Sequence, residues 1–580
     1  MLKEYTMQKR WETVNTLKIG KKDFDNEEVI KILLENRGLT NKKDIETFLH
    51  PDLTSITPKS VGIDQTQLKK AIKRIEKAIK NKEQIVVFGD YDVDGITGSA
   101  ILWETLNSLG ANVMPYIPHR KNEGYGLSIR GIDNLKTQNS ELKTVSLIIT
   151  VDNGIVANEA VVFANENNID VIITDHHTTA DTLPDAYAIV HTTNLCGAGV
   201  AYLLSKELRK IYSSSEQSES RNASSRQART IDNDTHLELA ALGTVADLVP
   251  LIGANRTIVF EGLKKLQTTR RPGLLALFQL AKIEKETIGV YEIGFIIGPR
   301  LNASGRIESA MDSLRLLCTT NKDRAGELAA KLESTNRERQ QLLKDATEHA
   351  IGGIKEVGLG TRRILMVGHA SYEEGVIGLV AGRLVEAFYR PSIVLSIGEK
   401  VSKGSVRSVN GFNVIEFLRL YTNHFINLGG HPMAAGFTVE NIKAEALQKA
   451  LEEKAEEMVT EELLVRSLKI DCELPFDVLT KKLFENIQKL SPFGMGNPEP
   501  VFVTKEVTID CMRILGKDGR HLKLVLRQND TSFEAIAFGM SEFANSVKIG
   551  DTVDVAYVLD ENTWNGETKL QLKIKDIHNN

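Results

Sequence analysis

Apolar runs alternate with helical patterns through the first half of the chain. The runs Ile85–Phe88, Ser146–Val151 and Val171–Thr174 have the length and composition of buried strands, and predicted helices such as Gly98–Leu109 and Val156–Asn167 lie between them. Strand–helix–strand alternation of this kind is typical of a parallel sheet with helices on both faces. We therefore expect the fold class to be α/β in this half of the protein.

The second half of the chain changes its pattern twice. Asn321 to Ala350 form a long polar helical pattern with few breakers, which is predicted to connect two lobes. The apolar runs Ile364–Val367 and Ile393–Ser396 indicate a second α/β unit over residues 361–440. After Leu463 the pattern turns to short strands that predict a small all-β barrel. These strands are Val501–Thr504, Leu522–Leu526, Glu534–Phe538, Thr552–Val558 and Leu570–Ile574.

These patterns divide the chain into five parts. The parts are an N-terminal leader (1–62), a first α/β domain (63–320), a connector helix (321–350), a second α/β domain (351–462) and an all-β domain (463–580). Within the first domain, residues 213–235 are rich in serine and almost free of apolar residues. Because such a composition cannot form a core, we expect a flexible surface insertion there.

The composition of the chain excludes several classes of protein. Its 580 residues carry a net charge of −5, so the surface is not uniformly basic, although a local basic stripe for nucleic acid remains open. No apolar run approaches the roughly 18 residues of a membrane helix, and Met1–Trp11 lack the apolar core of a signal peptide. The four cysteines lie far apart, which excludes a disulfide framework and cysteine zinc sites. We expect a cytoplasmic protein that does not contact a membrane.

Acidic residues are concentrated at the end of the first predicted strand. Asp90, Asp92 and Asp94 follow this strand in the sequence Phe-Gly-Asp-Tyr-Asp-Val-Asp-Gly. Alternate residues of an extended chain point the same way, so these carboxylates are expected to cluster. Like charges at close range are unfavourable unless a cation neutralises them, which favours a divalent metal. The alternative is a turn whose acids cap the following helix.

The next two predicted strands end in similar chemistry. Asp152 follows the second strand, and the run Asp175-His176-His177 follows the third. Carboxylate and imidazole ligands suit Mn²⁺, Mg²⁺ or Zn²⁺, and the oxygen-rich mixture favours Mn²⁺ or Mg²⁺. A further acid, Asp247, is equally a ligand candidate or a helix terminus. These donors suffice for two metal ions, which clamp the attacking and leaving oxygens when a phosphate ester or anhydride is hydrolysed.

The second α/β domain carries two segments suited to holding a phosphate. Lys403 to Ser408 include the hydroxyl of Ser405 and the guanidinium of Arg407, which can contact a phosphate through two bonds. Gly429 to Gly436 are predicted to form a small-residue loop around His431 through which backbone can approach a ligand, or else a tight turn. The chain has no G-x-x-x-x-G-K-[ST] motif, so an ordinary ATP-binding loop is excluded.

The ordered series of these motifs resembles a known family. Asp-x-Asp-Gly, Val-Asp-Asn-Gly, Asp-His-His and the later Ala-Asp resemble the four motifs of the DHH phosphoesterases. Gly-Ser-x-Arg-Ser and Gly-Gly-His-x-x-Ala-Ala-Gly-Phe resemble the associated DHHA1 domain. Nearly the whole chain is further similar to the RecJ family of single-strand-specific 5′→3′ exonucleases. The segments that carry this likeness include Pro118–Leu127, Gly298–Arg306, Asn336–Gln340 and Leu490–Pro498.

The resemblance implies a fold and a reaction. The first α/β domain would be the DHH catalytic domain, the second the DHHA1 domain, and the all-β part an OB-fold that binds the trailing single strand. The reaction would be hydrolysis of single-stranded DNA to 5′-mononucleotides with two Mn²⁺ or Mg²⁺ ions, in DNA repair and recombination. A helicase and a single-strand-binding protein are the partners that the resemblance suggests, and we expect a monomer.

The resemblance also implies residue roles. The metal ligands would be Asp90, Asp92, Asp94, Asp152, His176 and Asp247, with Asp152 bridging the two ions. Asp175 would lie behind the ligands and His177 would face the scissile phosphate, so these two are the catalytic candidates. The substrate contacts would be Arg120, Ser405, Arg407, His431, Arg306 and Gln340, and the first three of these would hold the 5′ phosphate.

Two departures and two alternatives accompany the resemblance. Phe88 stands where many DHH proteins have a histidine ligand, for which Asp90 is a substitute, and Tyr372-Glu373 stand where RecJ proteins often have Trp-His. The main alternative is a DHH phosphodiesterase for short oligonucleotides or cyclic dinucleotides, but such enzymes usually lack the leader and the OB module. The other is a non-catalytic scaffold of DHH type, which typically loses metal ligands that this chain retains.

Overall fold

The described part of the chain forms two compact units. The computed structural model describes residues 9–15, 26–137, 144–219, 235–564 and 566–579. The first unit comprises residues 46–339 together with 491–498, and the second unit comprises the rest of the described chain. Among the described residues, no helix is both long enough and apolar enough to cross a membrane.

The strands of the described residues fall into four sheets. In chain order they are β1 (Arg10–Thr13), β2 (Gln84–Gly89), β3 (Asn112–Tyr116), β4 (Val145–Val151), β5 (Asp170–Asp175), β6 (Ala188–His191), β7 (Leu365–His369), β8 (Ser392–Ile397), β9 (Val401–Arg407), β10 (Phe425–His431), β11 (Ala434–Glu440), β12 (Ser467–Ile470), β13 (Cys472–Glu473), β14 (Phe502–Leu515), β15 (His521–Gln528), β16 (Thr531–Ala537), β17 (Thr552–Trp564) and β18 (Glu567–Asn579).

The helices occupy the first unit and the first part of the second. In chain order they are α1 (Asn26–Asn36), α2 (Lys42–Leu49), α3 (Gln65–Lys80), α4 (Val93–Ser108), α5 (Arg120–Glu123), α6 (Ile129–Thr137), α7 (Asn158–Glu166), α8 (Gly197–Glu219), α9 (Leu237–Ala246), α10 (Gly253–Gln267), α11 (Pro272–Ala281), α12 (Gly298–Ile307), α13 (Met311–Cys318), α14 (Lys322–Glu356), α15 (Ile377–Phe388), α16 (Val414–Arg419), α17 (Asn441–Met458) and α18 (Lys481–Gln488).

The first unit is built on a parallel sheet with the strand order β3-β2-β4-β5-β6. The chain leaves β2 for β3 on one side and then returns to β4 on the other. The carboxyl ends of β2 and β4 therefore flank the point where the strand order reverses, which is where open α/β sheets bind their ligands. The α/β fold class predicted for this region is confirmed.

The interior strand β2 is apolar on both faces because helices cover both. Ile85 and Val87 pack into the core on one face of the sheet, and Val86 and Phe88 pack into the core on the other. Phe88 is fully buried, and its ring lies 5.1 Å from that of Tyr116. Phe88 thus contributes to the core, at the position where the family resemblance led us to expect a histidine ligand.

The helix α8 is longer than the sequence pattern indicates. It extends to Glu219 and so includes the first seven residues of the predicted serine-rich insertion, 213–219. Residues 220–234 of that insertion lie outside the described residues. The next helix, α9, packs against α4 and α8 and ends at Ala246, directly before Asp247.

The second unit contains a mixed sheet with the strand order β10-β11-β9-β8-β7. Of the two alternatives for Gly429–Gly436, the small-residue loop is wrong and the tight turn is present, because β10 and β11 form an antiparallel hairpin there. Glycine and alanine allow the two strands to approach closely, since a Cβ on Gly430 would lie 2.4 Å from the carbonyl oxygen of Ala434. The predicted strands at β7 and β8 and the helix α17 are present.

The C-terminal part of the second unit is a closed five-stranded barrel. Its strands follow the order β14-β15-β16-β18-β17, and the pairing of β14 with β17 closes the ring. This is the predicted OB-fold. Residues 9–15 of the predicted leader join this region, because β1 pairs in parallel with β12 and the Trp11 ring stacks 3.9 Å from that of His578.

Candidate metal centre

The three acidic side chains that follow β2 lie at the turn into α4 and in the first turn of that helix. Asp92 precedes the first turn of the helix and accepts a hydrogen bond from the backbone N–H of Gly95 at 3.1 Å. Asp94 lies within the first turn and accepts hydrogen bonds from the backbone N–H groups of Gly197 at 2.6 Å and Ala198 at 2.8 Å, at the start of α8. The negative charge of Asp94 thus faces a helix N-terminus, where it is favoured.

Asp152 follows β4 in a backbone conformation that is rare for a residue with a side chain. Its φ angle is 62°, in the left-handed region. Its backbone N–H donates to the carbonyl of Thr174 at 3.0 Å, and its carbonyl accepts from the Tyr125 hydroxyl at 3.2 Å. Strained backbone of this kind is concentrated at functional sites, where the surrounding structure must enforce it.

His176 lies close to carboxylates from three different segments of the chain. Its Nε2 lies 3.0 Å from Asp152 Oδ1, 3.6 Å from Asp247 Oδ2 and 3.7 Å from Asp94 Oδ2. The sequence pattern left Asp247 open between a ligand and a helix terminus. The structure places it at the end of α9 and also among these potential donors.

In the described part of the chain, the donor atoms form three groups of three. One group combines Asp152 and His176 with His177, and the other two contain only predicted ligands. Asp90, Asp92 and Asp152 offer oxygens within 4.8 Å of one another, and Asp94, His176 and Asp247 offer a second set within the same distance. The two groups share no residue, and the short distance between Asp152 and His176 joins them. All six residues predicted as ligands are therefore assembled at one edge of the sheet.

Polar atoms at this centre are buried in a way that suits cations. Among the described residues, Asp90 Oδ1, Asp152 Oδ1 and His176 Nε2 are buried without a well-aligned hydrogen bond, although the last two atoms lie 3.0 Å apart. Burial without such a bond is unfavourable for acceptor atoms, and a metal ion would satisfy all three. Two oxygen-rich groups of this composition fit Mn²⁺ or Mg²⁺.

The carboxylates also raise one another's pKa values. Burial, followed by the charge of Asp92, raises the pKa of Asp90 well above its ordinary value. Burial and the charges of Asp94 and Asp92 do the same for Asp152, and raise the pKa of Asp247 to about 9. Two divalent cations would remove this repulsion and keep the carboxylates ionised.

His177 is oriented from both sides of its ring. Its Nδ1 lies 2.8 Å from Asp175 Oδ1, and its Nε2 lies 3.3 Å from the Tyr125 hydroxyl. Burial opposes the charged form of His177, but the hydrogen bond and the charge of Asp175 outweigh it and raise the pKa of the imidazole. Burial likewise opposes the charged form of Asp175, while hydrogen bonds from His177 and Ile155 hold its pKa below its ordinary value.

Three arginines converge beside the acidic centre. The guanidinium of Arg120 lies 5.2 Å from the centre of the Tyr91 ring. Burial, followed by the charges of Arg120 and Arg339, lowers the pKa of Arg306 to about 10. Guanidinium groups that repel one another in this way are stabilised by an anion such as a phosphate. Sequence reasoning found Arg120 and Arg306 but missed Arg339, which directly precedes the predicted contact Gln340.

The second unit contains a separate arrangement suited to an anion. Ser405 and Arg407 are two residues apart on β9, so their side chains share one face of the strand. A Cβ on Gly378, in the first turn of α15, would lie 3.0 Å from Ser405 Oγ and 3.2 Å from Arg407 Nη2. A hydroxyl and a guanidinium thus face a helix N-terminus, which is a ready site for a phosphate.

The other predicted substrate contacts in the second unit, His431 and Gln340, are exposed. His431 ends β10 opposite Ala434, whose other neighbour across the sheet is Arg407. Gln340 is exposed on α14. Glu373, at the position of the second departure, is also exposed, while Tyr372 is buried and hydrogen-bonds to His349 Nδ1 at 2.7 Å.

Comparisons with known proteins agree with the fold. The N-terminal domain of the DHH family matches residues 84–244, the DHHA1 domain matches residues 361–461, and the RecJ OB domain matches residues 470–576. The fold and the acidic centre therefore define a phosphoesterase of the DHH class.

The similarity extends over nearly the whole chain. The single-stranded-DNA-specific exonuclease RecJ of Bacillus subtilis is 35% identical, over 94% of this chain and 67% of the relative. The RecJ of Salmonella typhimurium is 31% identical, over 95% of both chains. The crystal structure of RecJ in complex with Mn²⁺ from Thermus thermophilus is 29% identical, covers 98% of this chain and 80% of its own, and has a TM-score of 0.80. The chain belongs to the RecJ family of single-stranded-DNA-specific exonucleases.

Proposed function

We propose that this enzyme degrades single-stranded DNA from its 5′ end and releases 5′-mononucleotides, in DNA repair and recombination. The observation that carries the proposal is the pair of donor groups, Asp90-Asp92-Asp152 and Asp94-His176-Asp247, at the switch point of the parallel sheet. These groups would hold two divalent cations, and Mn²⁺ and Mg²⁺ are the ions present in the RecJ crystal structures from Thermus thermophilus. When bound, two cations stabilise the negative charge on the attacking and leaving oxygens of a phosphodiester.

The residues around the metal centre have separate tasks in this proposal. His177 donates its Nδ1–H to Asp175, and in the protonated form of the imidazole Nε2 also carries a proton that can be donated to a phosphate oxygen of the substrate. The hydrogen bond and the charge of Asp175, which raise the pKa of His177, favour this protonated form. Arg120 and Arg306 contact the phosphates of the strand, and Arg339 adds to the same positive charge.

The second unit would recognise the end and the length of the strand. Ser405 and Arg407, together with the N-terminus of α15, hold the 5′ phosphate, and His431 and Gln340 complete the contacts to the strand. Because only a chain end carries this terminal group, such a site favours removal of one nucleotide at a time.

The OB barrel carries a local basic and aromatic surface in spite of its balanced charge. The His521 and Phe538 rings lie 5.3 Å apart, and Phe538 is exposed. Lys517 and Arg520 are exposed in the turn between β14 and β15. Aromatic rings beside cationic side chains bind single strands by stacking and by charge.

We extend the proposal to the setting of the enzyme. Single-stranded substrate arises where duplex DNA is unwound, so a helicase and a single-strand-binding protein are the partners that we propose from the family resemblance. We propose that the enzyme acts as a monomer in the cytoplasm.

A time course on the purified full chain with Mn²⁺ tests the proposal. The substrate is a single-stranded oligonucleotide with a 5′ phosphate and a 3′ label, with a duplex of the same sequence beside it. We expect a descending ladder on the single strand, no cleavage of the duplex, and no ladder from Asp152→Asn or His176→Ala. The matched control Asp181→Asn changes an exposed acid on the loop after β5 and should cleave normally. Cleavage of dinucleotides without a ladder would instead support the short-substrate phosphodiesterase.

A further inference from the structure

An aromatic pair is exposed at the start of the helical segment that leads into α12. The rings of Tyr291 and Phe295 stack with centroids 5.0 Å apart and planes inclined by 26°. Tyr291 is 62% exposed and Phe295 is 71% exposed. The other face of the same segment carries Ile293 and Ile297, which are fully buried. The outward positions of an amphipathic helix are normally polar, so two stacked aromatic rings there need an explanation.

The backbone at the pair is also unusual. Residues Glu292–Ile297 form a π-helical turn, a rare conformation that occurs frequently at functional sites. Gly294 lies between the two rings, and a Cβ added there would meet no atom within 4 Å. The backbone beside the rings is therefore open to close approach by a ligand.

The pair is connected to the metal centre through the chain itself. Gly298 follows the π-helical turn, and a Cβ added there would lie 3.8 Å from the Cβ of Ala246, the residue before Asp247. The same helical segment continues through α12 to Arg306, beside the acidic centre. Eleven residues separate Phe295 from Arg306, which is roughly 16 Å along a helix. A strand with one phosphate at Arg306 would reach the aromatic pair a few nucleotides away.

We propose that Tyr291 and Phe295 form a stacking platform for an unpaired base of the DNA strand a few nucleotides from the scissile phosphate. This inference rests on the proposed function. Aromatic stacking accepts every base, because each base has a π-face, and so it suits an exonuclease that must degrade any sequence. The bases of a duplex are already stacked and paired. A platform of this kind therefore also contributes to selection of single strands.

The experiment measures kcat and KM on a set of single-stranded oligonucleotides of equal length. Each oligonucleotide lacks the base at a different position, and an intact oligonucleotide serves as the reference. The enzymes compared are wild type, Tyr291→Ala/Phe295→Ala, and Tyr291→Phe, which keeps the ring. The matched control Val162→Ala removes exposed apolar surface from α7 in the same unit.

For the wild type, we expect KM to rise when the missing base falls at one or two adjacent positions. On the intact strand, the double alanine variant should raise KM by about five- to a hundredfold, the usual effect of losing one stacked base. Its KM should no longer depend on the position of the missing base. Tyr291→Phe, which keeps the ring, should retain the dependence of KM on the position of the missing base, and Val162→Ala should behave as the wild type does.

Two outcomes would overturn the inference while the proposed function stands. One is a double alanine variant with the wild-type KM on the intact strand. The other is a variant with a raised KM that still responds to the missing base at the wild-type position, which would place the stacked base elsewhere. If the wild type degrades no single-stranded DNA, the proposed function itself fails, so the two failures are distinct.

Discussion

Asp152 occupies its place at the metal centre because Gly197 has no side chain. A Cβ on Gly197 would lie 2.5 Å from the Cβ of Asp152 and 2.9 Å from its Cα. The backbone N–H of Gly197 also donates to Asp94 at 2.6 Å. One glycine at the start of α8 therefore positions two of the proposed ligands, one by leaving room and the other by a hydrogen bond.

Substitution of Gly197 by alanine should disable the enzyme without removing any ligand. The added methyl group must displace either Asp152, whose left-handed backbone is already constrained, or the start of α8. We expect a loss of about 1–3 kcal/mol in the free energy of unfolding, as for other overpacked sites. We also expect a large fall in kcat and in the affinity for Mn²⁺, measured by titration calorimetry.

Gly326→Ala is the matched control for this substitution. Gly326 lies within α14, and a Cβ there would meet no atom within 4 Å. Alanine is favoured over glycine in a helix by up to about 1 kcal/mol, so this variant should be as stable as the wild type or slightly more so. Normal activity and Mn²⁺ affinity in Gly197→Ala would contradict the assigned role of Gly197.

Substitution of Asp175 should lower kcat more than it lowers the affinity for Mn²⁺. It accepts hydrogen bonds from His177 Nδ1 and from the backbone N–H groups of His176, His177 and Ile155. An amide at this position would turn an N–H toward one of these donors and would remove the charge that supports a protonated His177. We expect Asp175→Asn to lower kcat by about 10²–10⁴-fold, the usual contribution of a positioned acid or base.

The check on Asp175 is the comparison of kcat with KM and with Mn²⁺ affinity. The KM and the Mn²⁺ affinity should change far less than kcat, since the six proposed ligands remain in place. If Asp175→Asn instead lost Mn²⁺ in proportion to its activity, Asp175 would act through the metal centre and not through His177.

The residues proposed as metal ligands could be chosen from the sequence because they lie where strands end. Apolar runs followed by Asp90, Asp152 and Asp175 place all three at the same edge of a parallel sheet, whatever the details of the helices between them. The C-terminal barrel was recognisable from alternating short strands, although β14 extends to Leu515, well beyond the predicted Thr504.

Features that depend on tertiary packing could not be predicted in this way. The Gly429–Gly436 segment has the composition of a loop, but its small residues serve to bring two strands together. Arg339 and Tyr125 lie within recognised motifs, yet only the fold shows that one adds to the charge around Arg306 and the other contacts His177. The role of Gly197 depends on Asp152, which is distant in sequence.

Arg407 should contribute to binding of the terminal phosphate specifically. Charge-assisted hydrogen bonds contribute about 1.5–3 kcal/mol, so Arg407→Ala should raise KM for a 5′-phosphorylated strand by roughly ten- to a hundredfold. On a strand with a 5′ hydroxyl the same variant should differ little from the wild type. Arg383→Ala is the control, because Arg383 lies exposed on α15 in an ion pair with Glu386. Equal losses on both substrates would argue against a terminal-phosphate site at Arg407.

A buried cluster of charged side chains should make the first unit less stable at acidic pH. Glu104 on α4 receives hydrogen bonds from Arg271 at 2.7 and 2.9 Å and lies 2.7 Å from His236 Nε2. Burial opposes the ionised form of Glu104, but these partners outweigh it and hold its pKa at about 2. A carboxylate whose pKa is lower in the folded state stabilises the fold above the unfolded pKa, and this stabilisation is lost as the pH falls through the folded pKa.

The variant Glu104→Gln measures this contribution. Lowering of the pKa from 4.5 to about 2 corresponds to about 3 kcal/mol of stability at pH 7, of which about 1 kcal/mol is lost by pH 4. Urea unfolding at both pH values should therefore show a destabilised variant whose difference from the wild type narrows as the pH falls. The control Glu327→Gln removes an exposed ion pair with Arg324, which contributes at most about 1 kcal/mol. A difference between wild type and Glu104→Gln that stays constant with pH would show that Glu104 acts through packing and not through its charge.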